Sequence, residues 1–263
     1  MSIENQSLQD FATAILVDGV IDADDVVAIK QRLYEDGVID REEADFLFTL
    51  NDGVSGKANH ESWKSFFIEA ITDHVLDDDE TPGVIDQDEA TYLIDKIKGD
   101  GQVDEIELDL LVNICDKATG ESPESFSDFV LSSIKSAILE DGVVDLEEVQ
   151  MLRRVIYGAG GAGGAEVDRA EAELIFELND ATSGNENVSE WKTFFVEAIS
   201  KHVLEDEFSP NEIDDEEGDW LISKIEGDGQ LDDNEKSLLS VINQKATSIS
   251  EKLNNLMQEV DKA

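Results

Sequence analysis

The sequence predicts an all-α protein, and three observations carry that prediction. Apolar residues recur at i, i+3, i+4 and i+7, which is the spacing of one face of a helix. The segment with Trp63, Phe66, Phe67, Ala70 and Ile71 shows this pattern. Only three prolines occur in the chain, and no sustained alternation of apolar and polar residues marks a strand. We expect two tandem helical bundles of about six or seven helices each, with an additional C-terminal helix.

The two bundles are predicted because the second half of the chain repeats the first, as in a tandem duplication. The matched stretches are Trp63–Ile71 with Trp191–Ile199, Phe46–Asp52 with Leu174–Asp180, and Lys96–Gln102 with Lys224–Gln230. Both halves also end alike, at Lys117–Thr119 and Lys245–Thr247. The predicted domains are therefore 1–122 and 123–247, followed by a segment at 248–263.

The individual helices follow the apolar spacing along each half. An opening helix is predicted over Leu8–Leu16 and again over Phe126–Leu139, and a tryptophan-containing helix lies near the middle of each half. In the C-terminal segment, Leu253, Met257 and Val260 continue the helical spacing. This segment resembles the opening helix of a third repeat. We expect it to pack onto the second half, and binding to another protein is the alternative.

Between the helices a short acidic phrase keeps returning, Asp-Gly-x-aliphatic-Asp-x-x-acid. The glycine suits the left-handed residue that ends a helix, and the second aspartate suits the N-cap of the next helix. The acid three residues later completes a capping box. The predicted boxes are Asp22/Asp25, Asp40/Glu43, Asp86/Glu89, Asp104/Glu107, Asp145/Glu148, Asp168/Glu171, Asp214/Glu217 and Asp232/Glu235.

The same phrase resembles the second part of an EF-hand calcium loop. Positions 5, 6, 8, 9 and 12 of such a loop are matched by Asp18, Gly19, Ile21, Asp22 and Asp25. Positions 1 and 3 fall on Ala14 and Leu16, which cannot bind a cation. We therefore predict half loops with two or three carboxylates each, and a calcium affinity on the order of 10⁻⁴ to 10⁻³ M unless two loops pool their ligands.

The candidate ligands for a divalent, calcium-like cation come from these loops, because helix capping does not require the aspartate that precedes the glycine. In the run Asp77–Glu80, two acids would take positions 1 and 3 of a loop that continues to residue 89. The candidates are Asp18, Asp22, Asp25, Asp36, Asp40, Glu43, Asp78, Glu80, Asp86, Glu89, Asp100, Asp104, Glu107, Asp141, Asp145, Glu148, Asp228, Asp232 and Glu235.

Charge excludes several classes of partner. The chain of 263 residues carries 64 acidic and 19 basic residues, a formal net charge of −45. Such a chain repels nucleic acid and anionic membrane surfaces, and it concentrates cations. No apolar run approaches the roughly 20 residues that a membrane span needs, and the start lacks the basic region of a signal peptide. We expect a cytoplasmic protein that neither binds nucleic acid nor spans a membrane.

Catalytic patterns are not recognisable in the sequence. His60, His74 and His202 form neither an HExxH motif nor an i, i+4 pair. The glycine run Gly158–Gly164 follows a helical stretch instead of a strand, so it does not predict a nucleotide-binding loop. The single cysteine, Cys115, lies in an apolar helical run. We predict a non-enzymatic protein without an organic cofactor.

The phrase Asp-Gly-x-Ile-Asp-x-x-Glu between short amphipathic helices resembles the TerB-like family, which is named for a tellurite-resistance protein. The resemblance covers roughly residues 8–122 and 126–247 and rests on the five copies that keep Asp-Gly. It implies an all-helical fold, association with metal ions through acidic loops, and roles in stress-linked complexes, often near membranes. The chain departs from the family in its tandem arrangement, its acidity and the glycine run that replaces the sixth Asp-Gly.

Three functional hypotheses follow. The leading one is a protein that binds divalent cations weakly at several acidic loops, in a stress response. The alternative is a protein-interaction scaffold or adaptor, in which the loops are only helix caps and the C-terminal helix binds a partner. The third is salt adaptation, in which the acids keep the surface hydrated.

Overall fold

The computed structural model describes residues 7–34, 38–77, 81–99, 101–158, 166–205, 209–227 and 229–260. Within these ranges the chain forms thirteen helices and two short strands, which confirms the all-α prediction. The first elements are α1 (Leu8–Ile15), α2 (Ala23–Leu33), α3 (Arg41–Val54), α4 (Glu61–Leu76), α5 (Gln87–Ile97), α6 (Glu105–Lys117) and α7 (Glu124–Asp141). The remaining elements are α8 (Leu146–Tyr157), α9 (Arg169–Thr182), α10 (Ser189–Leu204), β1 (Glu212–Ile213), α11 (Asp215–Ile225), α12 (Asp233–Lys245), β2 (Ser248–Ile249) and α13 (Glu251–Val260).

The contacts of the chain divide it into two compact units, Met1–Val130 and Leu131–Ala263. The division falls inside α7, whereas the sequence predicted a break at residues 122 and 123, just before this helix begins. Helices α1 to α6 lie in the first unit, and α8 to α13 lie in the second.

A tryptophan-containing helix occupies the middle of each unit. In the first unit α4 packs against α2, α3 and α6, and in the second unit α10 packs against α8, α9 and α12. Trp63 of α4 and Trp191 of α10 are both buried. Each helix buries its apolar residues on the face that the i, i+3, i+4 spacing defines. Both tryptophans therefore belong to the core of their unit.

The C-terminal helix α13 packs onto α11 within the second unit. Its buried side chains are Leu253 and Met257. The residues before it form the short parallel strand β2, which pairs with β1. A Cβ atom at Gly218 of α11 would lie 2.1 Å from the Ser250 hydroxyl oxygen, so a glycine is needed at this close approach. The expected packing of the C-terminal helix onto the second half is therefore present.

Among the helices in the described ranges, none combines the length and the apolar character that a membrane span requires.

Candidate functional site

The acidic phrases form the junctions between consecutive helices. At the α1–α2 and α7–α8 junctions, Gly19 and Gly142 have φ values of 77° and 72°, a left-handed conformation that glycine adopts without strain. The aliphatic residues that follow, Ile21 and Val144, are completely buried. The predicted left-handed glycine is thus confirmed at both junctions, and the aliphatic residue anchors each junction in the core.

All eight predicted capping boxes are present. In each box the aspartate Oδ1 accepts the backbone N–H of the acid three residues later, and that acid accepts the N–H of the aspartate. The sixteen donor–acceptor distances lie between 2.8 and 3.0 Å. Two otherwise unsatisfied N–H groups are therefore paired at the start of each of these helices.

The aspartate before the glycine also has a local structural role, which the sequence reasoning missed. Asp18 Oδ1 accepts the N–H of Val20 at 3.2 Å, and Asp141 Oδ1 accepts the N–H of Val143 at 2.9 Å. Such a bond to the backbone two residues ahead is an Asx turn. The signal was available in the sequence, because aspartate is favoured at the first position of this turn. The aspartate does not by itself require a cation.

Three carboxylates lie within electrostatic range of one another at the α1–α2 junction. Burial, followed by the negative charges of Asp22 and Asp18, raises the pKa of Asp25. At the α7–α8 junction, burial and then the charges of Asp145 and Asp141 raise the pKa of Glu148. The structure therefore brings together the acids of these two predicted half loops, and their mutual repulsion favours the protonated form of the third acid.

The α1–α2 turn is hydrogen-bonded to the connection between α3 and α4. The Ile21 N–H donates to Asn59 Oδ1 at 3.0 Å, and the His60 N–H donates to the Ile21 carbonyl at 2.8 Å. The second unit repeats both bonds at 2.8 and 3.0 Å, between Val144 and Asn187 and between Val188 and Val144. This neighbouring connection carries no copy of the acidic phrase.

The α5–α6 junction uses its aspartate differently. Asp104 Oδ2 accepts hydrogen bonds from Asn51 Nδ2 at 3.1 Å and from Ser55 Oγ at 2.8 Å, while Oδ1 caps α6. Glu107 of the same box is buried. Both oxygens of Asp104 are therefore engaged by protein donors, which leaves this carboxylate poorly placed to bind a cation.

The α11–α12 junction repeats this arrangement. Asp232 Oδ2 accepts hydrogen bonds from Asn179 Nδ2 at 2.7 Å and from Ser183 Oγ at 3.2 Å. In addition, Asn234 Nδ2 donates to Asn179 Oδ1 at 2.8 Å. The first unit has Ile106 at the matched position, and there the buried Asn51 Oδ1 accepts no hydrogen bond from the described residues.

The other candidate ligands divide into two groups. Asp40 with Glu43, and Asp86 with Glu89, each form a capping box. Five candidates, Asp36, Asp78, Glu80, Asp100 and Asp228, lie outside the described residues. Across the described ranges, no three His, Cys, Asp or Glu side chains are arranged as a preformed metal site.

Comparison with known proteins does not assign the chain to a family. No protein-family model, no curated protein and no solved structure matches the chain. The resemblance to TerB-like proteins therefore stays a prediction.

Proposed function

We propose that the protein is non-enzymatic and binds divalent, calcium-like cations weakly at the α1–α2 and α7–α8 junctions. The resemblance to TerB-like proteins supplies the proposed setting, a stress response. The net charge of −45 supports the proposal, because it raises the local concentration of cations at the surface.

One observation carries this proposal: both junctions hold three acids that repel one another. At the first junction, Asp18, Asp22 and Asp25 each use one carboxylate oxygen for a backbone N–H. Asp22 and Asp25 also interact through their side chains, and the second oxygen of Asp18 accepts no hydrogen bond from the described residues. A cation that reached these carboxylates would relieve the repulsion that raises the pKa of Asp25.

The expected affinity is low for two reasons. Calcium takes six to eight oxygen ligands, so three carboxylates leave much of its coordination to water. The described residues also contain no preformed group of three metal-binding side chains, so binding requires side chains to reorient. We expect dissociation constants on the order of 10⁻⁴ to 10⁻³ M.

Calorimetric titration of the chelator-stripped protein with calcium chloride tests the proposal. The double variant Asp18→Asn/Asp141→Asn should weaken calcium binding by about tenfold. Each asparagine oxygen can still accept the bond from Val20 or Val143, so the turns are retained while one charge is removed from each junction.

The matched control is Asp24→Asn/Glu147→Gln. Asp24 and Glu147 are exposed residues in the first turns of α2 and α8, and their side chains take no part in the capping boxes. This control removes the same two charges and should change calcium affinity by less than about twofold. Equal weakening by both double variants would show only a general charge effect. Absence of heat beyond a sodium chloride titration of equal ionic strength would refute calcium binding.

The proposal gives the C-terminal helix no partner. Leu253 and Met257 of α13 are buried against the second unit, so the apolar residues that suggested a scaffold role are already used in packing.

A further inference from the structure

One acid of the eight capping boxes differs from its counterpart at the matched position. Glu171, at the start of α9, is only 1% exposed. Glu43, at the start of α3, is half-buried. Both accept the N–H of their N-cap aspartate, at 2.9 and 3.0 Å. The same local hydrogen bond is therefore made in a solvated environment in one unit and in a buried environment in the other.

Among the described residues, no charged group provides a cation that would compensate an ionised Glu171. Asp168, in its own capping box, adds a negative charge. Burial raises the pKa of Tyr157 at the end of α8, and the negative charges of Glu197 and Glu171 raise it further. Arg153 of α8 is paired with Glu197 of α10 at 2.7 Å. A carboxylate at Glu171 would therefore be buried with a single backbone donor and with the negative charge of Asp168 near it, which is unfavourable.

A second side chain holds the same junction from α10. His202 Nδ1 lies 2.8 Å from the Val167 carbonyl oxygen, so this nitrogen carries the proton and donates to the carbonyl. Burial lowers the pKa of His202, and Arg169 lowers it further, while Asp168 and Glu173 act in the opposite direction. The lowered pKa favours the neutral form of His202. Val167 is hydrogen-bonded to α10 through His202, and Asp168 is hydrogen-bonded to α9 through Glu171.

We propose that Glu171 is a pH-sensitive latch: its neutral carboxyl keeps Val167 and Asp168 closed onto the start of α9, and its ionisation releases them, while the start of α3 stays closed. The proposal is independent of cation binding, because neither Glu171 nor Asp168 belongs to the proposed cation sites.

The direction of the pH dependence follows from burial. Burial raises the pKa of Glu171 to about 8, against the opposing effect of the Asp168 N–H and with a further increase from the Asp168 charge. This value lies above the unfolded value of about 4.3. The stabilisation is therefore fully present below about pH 4.3 and is lost as the pH rises through about 8.

Amide hydrogen exchange across pH 6 to about 10 tests the latch, after correction for the intrinsic rise of exchange with pH. In the wild type, protection of the first turn of α9 should fall by up to about tenfold per pH unit between pH 6 and about 8, and should level off above that value. Protection of the first turn of α3 should not fall. Glu171→Gln keeps an acceptor for the Asp168 N–H but cannot ionise, so the fall at α9 should disappear. The matched control Glu43→Gln should leave the profiles of both junctions unchanged.

Equal pH slopes at the two junctions, or a slope at α9 that survives in Glu171→Gln, would overturn the proposal. Carbon-13 NMR titration of the Glu171 side-chain carboxyl in the wild type gives a second test that needs no variant. A midpoint below about pH 6, where an ordinary exposed glutamate has already ionised, would also overturn it.

Discussion

Asp232→Ala is expected to lower the free energy of unfolding of the second unit by about 3 kcal/mol. Oδ1 of Asp232 accepts the backbone N–H groups of Asn234 and Glu235, at 2.8 and 2.9 Å. Loss of these caps costs about 1 kcal/mol. Oδ2 accepts the Asn179 amide and the Ser183 hydroxyl. Removing it leaves the buried Asn179 amide without this acceptor, which adds about 1–3 kcal/mol.

Asp214→Ala is the matched control for that loss. Asp214 Oδ1 accepts the same pair of backbone groups at the start of α11, from Glu216 and Glu217 at 2.8 and 3.0 Å. Its Oδ2 accepts no hydrogen bond from the described residues, and the residue is exposed. The control should therefore lose only about 1 kcal/mol. Urea unfolding, resolved by unit through hydrogen exchange, measures both values. Equal losses would mean that the Asn179 and Ser183 bonds contribute nothing.

The second large effect concerns the central helix of the second unit. Trp191→Ala should lower the free energy of unfolding by about 4 kcal/mol, because it removes a side chain that is 1% exposed and leaves a cavity. The ring centroid of Trp191 lies 6.0 Å from that of Phe194 and 6.4 Å from that of Phe195, so these aromatic contacts are lost as well.

Trp191→Phe should lower the free energy of unfolding by only about 1 kcal/mol. Phenylalanine keeps an aromatic ring against Phe194 and Phe195. The indole Nε1–H is buried and has no acceptor among the described residues, so no hydrogen bond is lost with it. Trp63→Phe in α4 provides a parallel case, because the Trp63 indole nitrogen is also buried without an identified acceptor. Thermal unfolding measures these changes. Destabilisation by Trp191→Phe as large as that by Trp191→Ala would contradict this expectation.

Much of the fold could be predicted because its determinants are local. A capping box such as Asp40/Glu43 needs an aspartate, an acid three residues later and the geometry of one helical turn. The apolar face that buries Trp63 needs only the helical repeat. Neither depends on distant parts of the chain, so both were visible in the sequence.

The long-range contacts of the junctions could not be predicted from the sequence. Asp104 receives a hydrogen bond from Asn51, which lies 53 residues earlier in the chain. Asp40 has the same local pattern as Asp104 but receives no such bond from the described residues. The acid spacing alone cannot separate these two aspartates, because only the packing of α3 against the α5–α6 junction decides whether a distant donor reaches the second oxygen.

By itself the sequence determined that this protein is helical, where most helices start, and that each start carries acids. Only the tertiary structure decided what the acids can do. Asp18, Asp22 and Asp25 lie within electrostatic range of one another. Asp104 accepts hydrogen bonds from Asn51 and Ser55. Glu171 is buried, whereas Glu43 is half-buried. The physical reason is that capping depends on neighbours within one turn, whereas the charge state and ligand availability of a carboxylate depend on solvent exposure and on distant donors.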